Sequence, residues 1–365
     1  MNTNSLPIKI NLFKAALVAC LIILFHPCVG ITQEVSDSNN KLDCSIPPEA
    51  MNLKPGDEGE KIAVKVGFFV IDIKEIDDLE QTYTADVWFN ETWNDPRLSE
   101  KALGKSLRKC IFKENEIWTP TVIVVNQNGG QQLLSKIARV DPDGNVNVKQ
   151  RYVGEITSDL DFSNFPFDDQ ELHFILAAVG PNSNDILFEL DKDTTGQRDK
   201  FSAEGWTISL VDGSASTEQI QTWGDAPMQS LHRMDFTLVA QRDKAYYVWK
   251  VIAPLCLIVL MAWAVFWIDP KHLGPQVGLS TATVFTLIAY RFAIGFTIPK
   301  VSYFTRMDNF VLLSTILVFI ALGTAIATSK ISSDGENLLA KKIEKYMRVI
   351  YLIAFMAIIV FTLLL

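Results

Sequence analysis

The residue types that usually carry chemistry are present in this chain, but they are not gathered together. Its four histidines are dispersed, with His26 in an N-terminal apolar segment and His173, His232 and His272 far apart. There is no Gly-x-Ser-x-Gly, no phosphate-binding glycine loop, no dinucleotide fingerprint and no Cys/His pair at metal spacing. "DPDGN" at Asp141–Asn145 superficially resembles a calcium loop, but its glycine comes too early, and a hairpin turn between two alternating runs is the better reading. No enzyme, no cofactor and no metal site is therefore expected. A different kind of chemistry stands out in "SDLDFSNFPFDDQELHFIL", Ser158–Leu176. It sets Phe165, Pro166 and Phe167 beside Asp168 and Asp169 in a stretch that otherwise alternates like a strand. Proline fixes the backbone, the phenyl rings supply apolar area, and a carboxylate can meet a cation. Why a strand-rich stretch should carry such a knot is a question for the rest of the chain.

The elements that would position this knot follow from composition. The chain has 365 residues, 48% of them hydrophobic, and a mean hydropathy of +0.18, which points to about two domains and to a membrane. Residues 1–30 carry Lys9 and Lys14, an apolar core too short to span a bilayer, and then small residues, as a removable signal peptide does. Removing it leaves Cys44 and Cys110 in an exported segment, where they either pair or stay as thiols, and Cys256 in an apolar run. From Ile31 to Ala245 there are 37 acidic and 21 basic residues; from Tyr246 onward there are 5 and 10. The first block, 31–245, alternates apolar and polar residues in runs such as "KIAVKVGFFVIDI" and "TYTADVWFNETW" and reads as an all-β, immunoglobulin-like sandwich. The second, 246–365, reads as an all-α four-helix transmembrane domain, with apolar runs at Tyr247–Ile268, Val277–Ile298, Phe310–Thr328 and Val349–Leu365. Trp249 and Trp267 lie about 27 Å apart along a helix, the separation of two interfacial aromatic belts. Lys330, Lys341, Lys342 and Lys345 before the last run put that loop inside the cell and the β domain outside.

An exported β-sandwich joined to four helices, with Phe-Pro-Phe-Asp near the junction, resembles the pentameric ligand-gated ion channels, or Cys-loop receptors. "WNDPRL" at Trp93–Leu98, "IWTP" at Ile117–Pro120, "DGNV" at Asp143–Val146 and "FPFD" at Phe165–Asp168 occur in the family's order. Arg242 before the first span, Pro254 within it and "IPK" at Ile298–Lys300 complete the set. The two cysteines that bracket the family's loop are Ser158 and Leu172 here, and the link between the third and fourth spans, about Ser329–Ala340, is very short. Both traits are similar to the prokaryotic branch, which implies an inner-membrane protein with a periplasmic β domain. The resemblance implies that the knot couples the two domains, with Asp168 and Asp78 facing Arg242, and with Phe165, Pro166 and Pro299 at the interface. It also implies a homopentamer whose partners are a small-molecule or proton agonist, permeant inorganic ions and membrane lipids, with no nucleic acid.

The second span is the least greasy of the four and is the pore helix by resemblance. Two stripes share the helical spacing. Polarity alone selects Gln276, Ser280, Thr283, Leu287 and Tyr290. The family register, anchored by "VGL" at Val277–Leu279 and by Pro299, selects Gly278, Ala282, Phe285, Ala289, Phe292 and Phe296, and that register is the one preferred. It places Phe285 at a mid-pore apolar ring. At the inner mouth stand Gly274, Pro275 and Gln276 where cation-selective relatives carry a glutamate. The acidic β domain would concentrate cations, but a constriction outweighs a screened vestibule, and anion permeation is expected. A cation-selective channel, proton-gated in one version, is the alternative; a non-conducting membrane ligand sensor is another.

For the agonist site between subunits, the resemblance selects Trp88, Val125, Val179 and Trp223. Two of those aromatic positions are valines, so a quaternary ammonium ligand would lack half its cage.

Overall fold

The computed structural model describes residues 43–364, apart from 58, 133–135, 182 and 221–228. Residues 1–30, read above as a signal peptide, lie outside the described residues, as does Trp223. Twelve strands are described: β1 (Ile62–Asp77), β2 (Thr82–Asn94), β3 (Phe112–Lys113), β4 (Thr121–Val124), β5 (Gln127–Gln132), β6 (Ile137–Val140), β7 (Asn145–Thr157), β8 (Asp169–Val179), β9 (Ile186–Leu190), β10 (Gly196–Gln197), β11 (Trp206–Ile220) and β12 (Gln229–Arg242). They form two sheets. One runs β10-β1-β2-β7-β6-β3, with β5 added on β7 and β9 on β1; the other runs β11-β12-β8-β4. The sheets face each other as a sandwich because each long strand alternates. In β2 the inward set is Tyr83, Ala85, Val87, Phe89, Glu91 and Trp93, all buried. Phe68 stacks on Phe236 across the core at 4.3 Å.

One inward residue breaks the pattern. Glu91 is 0% exposed; its Oε1 accepts a hydrogen bond from Gln150 Nε2 at 2.8 Å, while Oε2 has no partner. Burial pushes its carboxyl up from the ordinary 4.5 to about 7; the Lys136 ammonium and the Gln150 bond work against that shift, and Glu114 adds to it. Because the folded pKa exceeds the unfolded one, the folded state binds the extra proton between those two values. Its contribution is therefore greatest below pH 4.5 and is lost as pH rises to about 7. The loss is about 3 kcal/mol at about 1.4 kcal/mol per pKa unit. Urea unfolding of the protein across this range should show that decline, and Glu91→Gln should flatten it. An unchanged slope in the variant would mean that Glu91 is ionised in the fold.

The N-terminal segment is tied down by a disulfide between Cys44 and Cys110, whose Cα atoms are 5.7 Å apart. Closing a loop of 66 residues stabilises by about 4 kcal/mol in the chain-entropy model. The protein should migrate differently on reducing and non-reducing gels. Equal mobility, with both thiols labelled after denaturation, would contradict the bond.

Four helices long and apolar enough to cross a membrane follow the sandwich: Lys244–Trp267, Leu273–Ile294, Arg306–Ser333 and Asn337–Leu363. In the first, Val248–Ile252 is a widened turn just ahead of Pro254. Proline has no N–H to donate and its ring displaces the carbonyl of the preceding turn, which loosens the helix there. The helices also run past the apolar windows of the sequence. The fourth begins at Asn337 rather than near 349, and the link from the third is 334–336 rather than 329–340. A hydropathy window stops at the first lysines, whereas a helix continues through good helix formers such as Lys341, Glu344 and Lys345. The second helix ends at Ile294, and Phe296, Ile298 and Pro299 belong to the turn and loop after it.

Candidate functional site

Where the sandwich meets the helices, Arg242 ends β12 between two strands. In the ladder Trp206 of β11 is its direct partner, and on the other side Gln241 pairs with Asp169 of β8, which places Asp168 beside Arg242. The register alone thus delivers an aromatic face and a carboxylate to one guanidinium. Its carbon lies 4.1 Å from the Trp206 ring centroid and 5.0 Å from that of Phe165. Asp78 arrives from the other sheet, on the turn between β1 and β2. Asp77 Oδ1 fixes that turn by accepting from Leu79 N at 2.8 Å and Glu80 N at 3.1 Å.

All five guanidinium N–H donors are used. Nε donates to Asp168 Oδ1 at 2.9 Å, and Nη2 to Asp168 Oδ2 and Asp78 Oδ1 at 3.0 Å each. Nη1 donates to Asp78 Oδ2 at 2.6 Å and to the Tyr247 hydroxyl at 3.3 Å. Arg242 and Asp168 are both buried. Burial by itself would lower the arginine's pKa, but the bonds to Asp78 and Asp168 and their charges outweigh it and raise the value further. The guanidinium therefore stays charged while holding both sheets at the point where the chain enters the first helix.

The knot leans on the helices from the same place. Phe165 and Pro166 are buried, their peptide bond is cis, and Phe165 meets Tyr247 edge-on at 4.9 Å. The loop's carbonyls satisfy the free amides at the start of the third span: Ser163 O accepts from Arg306 N, and Phe165 O from Met307 N, each at 3.2 Å. Thr305 and Asp308 add a capping box there, and the Tyr303 hydroxyl accepts from Phe162 N at 2.9 Å. Pro299 is buried in the loop between the second and third spans. At the neck of the knot Ser158 and Leu172 are both buried. Ser158 Oγ donates to Glu171 O at 3.0 Å and accepts from His173 N at 3.3 Å, which closes the neck without a disulfide. Trp206, Gln170 and Tyr303 escaped the sequence reading. Gln170 donates to Asp168 Oδ2 and to Asp161 O; its inward phase at the start of β8 was the one available signal.

On the second helix the two stripes separate cleanly. Gln276, Ser280, Thr283 and Leu287 are buried against the subunit's own helices, and the Tyr290 hydroxyl donates to Val251 O of the first span. Ser280 and Thr283 return their hydroxyls to Gln276 O and Leu279 O, at 3.0 and 2.9 Å. Gly278, Ala282, Phe285, Ala289, Phe292 and Phe296 all face away from the bundle. The three phenylalanines are 67%, 75% and 85% exposed.

The positions expected at an agonist site are dispersed within one chain. Trp88 is exposed on the outward face of β2, opposite Arg151 of β7, which forms a two-pronged pair with Asp86 at 2.9 and 2.8 Å. Val125 follows β4 and bonds to Ile175 O, whereas Val179 pairs with Thr121 at the other end of the β4–β8 ladder. Among the described residues no cluster of three or more His, Cys, Asp or Glu could hold a metal ion.

Residues 50–243 match the model of the neurotransmitter-gated ion-channel ligand binding domain. Residues 251–336 match that of the neurotransmitter-gated ion-channel transmembrane region. The chain is 23% identical over 297 residues to a proton-gated ion channel of Gloeobacter violaceus, covering 81% of each chain. It is 26% identical over 307 residues to the human gamma-aminobutyric acid receptor subunit rho-3, covering 81% of this chain and 64% of that subunit. An outward β-sandwich, four spans and a buried arginine at their junction agree with both matches: the chain belongs to the neurotransmitter-gated ion channels, a family of ligand-gated membrane channels rather than enzymes.

Proposed function

We propose that the chain is one subunit of a homopentameric ligand-gated channel of prokaryotic type, set in the inner membrane with its β domain in the periplasm. The observation that carries this reading is the face of the second helix. Gln276, Ser280 and Thr283 are buried in the subunit's own bundle, while a stripe from Gly278 to Phe292 is left for something beyond the subunit. Lipid could cover phenyl rings, but lining a symmetric axis also gives the small residues Gly278, Ala282 and Ala289 a role as the gaps of a pore. Native mass spectrometry in mild detergent should give pentamers; monomers or dimers alone would overturn the assembly.

The agonist binds between subunits, with Trp88 from one and the neighbourhood of Val125, Val179 and Trp223 from the next. With valines at two walls, choline-like ligands bind weakly, and a proton, a small amine or an acidic metabolite fits better. The permeant ions are anions: no acidic side chain stands at Gly274, Pro275 or Gln276, and Arg291 is exposed near the outer end of the helix. A proton-gated cation channel is the second reading, favoured by the 16 excess acidic residues of the β domain and by the proton-gated relative. Bilayer recordings under a sodium chloride gradient, with steps of pH, GABA and choline applied in turn, decide between them. A reversal potential at the chloride value supports the first reading and one at the sodium value the second. The absence of any current would leave the sensor.

A further inference from the structure

We propose that Glu344, on the fourth span, is a positioning residue that fixes the inner end of the pore helix by gripping Gln276. The inference rests on the reading of the second span as the pore helix. Glu344 is 2% exposed, an acid turned into a helix bundle between exposed Lys341 and Lys345. An ionisable group placed there, inside the bundle, calls for a partner and a purpose. Its Oε1 accepts from Gln276 Nε2 at 2.6 Å and from Thr328 Oγ1 at 3.4 Å. The other end of the same amide is held too, since Ser329 Oγ donates to Gln276 Oε1 at 2.6 Å. Gln276, Thr328 and Ser329 are fully buried, so water does not compete for these bonds.

The pore helix needs such a clamp. It opens at Leu273 without a capping side chain, and Gly274 and Pro275, next to Gln276, have no side-chain hydrogen-bonding group. The fourth span, by contrast, is fastened independently to the end of the first. Lys341 Nζ lies 2.8 Å from Asp269 Oδ2, and Arg348 Nε donates to Phe266 O at 3.0 Å. The Arg348 guanidinium covers the Trp267 ring at 4.3 Å, and Trp263 Nε1 donates to Arg348 O at 2.9 Å. Lys341, Glu344 and Arg348 lie on one helical row. Two of them anchor the row to the first span, and Glu344 hands that anchorage to the pore helix. Among the described residues it makes the one hydrogen bond between those two helices.

The test reads helix geometry without opening the channel, so it can fail independently of the recordings above. Full-length protein with Cys256→Ala, in vesicles of phosphatidylethanolamine and phosphatidylglycerol, carries spin labels at Leu273→Cys and Leu338→Cys, both exposed sites. Labelled subunits are diluted with unlabelled ones, and the distance within a subunit is read by pulsed electron resonance. The parent should give one narrow distance. Glu344→Gln, which keeps an acceptor for Gln276, should retain it. Glu344→Leu and Gln276→Leu should each lose it to a broad or shifted distribution, and the double variant should be no broader than either. A narrow distance in Glu344→Leu would overturn the proposal, as would a broad one in Glu344→Gln. Should Glu344→Leu fail to assemble, Gln276→Leu with Ser329→Ala breaks the same link from the other side, and a narrow distance there is equally fatal.

Discussion

Arg242→Ala should give a channel that assembles and reaches the membrane but barely opens. The substitution removes the only cation between Asp78 and Asp168 among the described ion pairs and leaves Asp168 buried without it. Breaking a buried pair in this way costs about 3–5 kcal/mol, and here the cost falls at the seam between domains. The five donors of Arg242 tie together the β1–β2 turn, the Phe-Pro knot and the first helix. On the proposed function, an agonist-driven shift of the sandwich would reach the helices through those bonds, and losing them would disconnect the two halves without unfolding either core. Arg242→Lys should rescue little, because an ammonium has three donors and no planar fork to serve two carboxylates at once. The comparison is current per surface subunit, measured with surface biotinylation beside recordings. Wild-type current from Arg242→Ala would show that the cluster is structural only.

The sequence made the halves of this molecule plain and its seam only partly so. Alternation in β1 and β2 is a local property, and an inward run such as Tyr83, Ala85 and Val87 can be counted off the chain. Apolar runs mark the spans in the same way, although their charged ends were lost. The Arg242 cluster is another matter. Asp78, Asp168 and Arg242 are remote in sequence, and only resemblance put them together; Trp206, which covers the guanidinium, followed from a cross-strand register that no single stretch encodes. Glu91 was legible and overlooked: an acid in phase with Phe89 and Trp93 must point inward.

The second helix shows a deeper limit. Two stripes with the same spacing were available, and composition favoured the polar one. Polar side chains on a membrane helix can face either water or a neighbouring helix, and periodicity does not distinguish the two. Thr283 and Ser280 turn out to bond their own backbone inside the bundle, while Glu344, far along the chain, supplies the partner that Gln276 needs. The long-range pairing carries the information, and it is invisible to a window.

Phe285→Ser follows from that arrangement and should have the largest effect on the closed state. Phe285 is 67% exposed in the single subunit, and in the proposed pentamer its face turns toward the axis. A ring of phenyls there would keep the pore dry, so that an ion could not cross without shedding its water. Serine removes most of that apolar volume and offers a hydroxyl that holds water in place. The barrier of the closed pore should fall, giving spontaneous current or activation at a much lower agonist dose. Thr283→Ala is the control. Its hydroxyl already bonds Leu279 O within the helix and the residue is fully buried, so removing it costs a fraction of a bond, about 1 kcal/mol of stability, and leaves the lumen untouched. Recordings of both variants without agonist settle the register. If Thr283→Ala alters conductance while Phe285→Ser only reduces the amount of folded protein, the polar face lines the pore, and the phenylalanines belong to contacts between subunits.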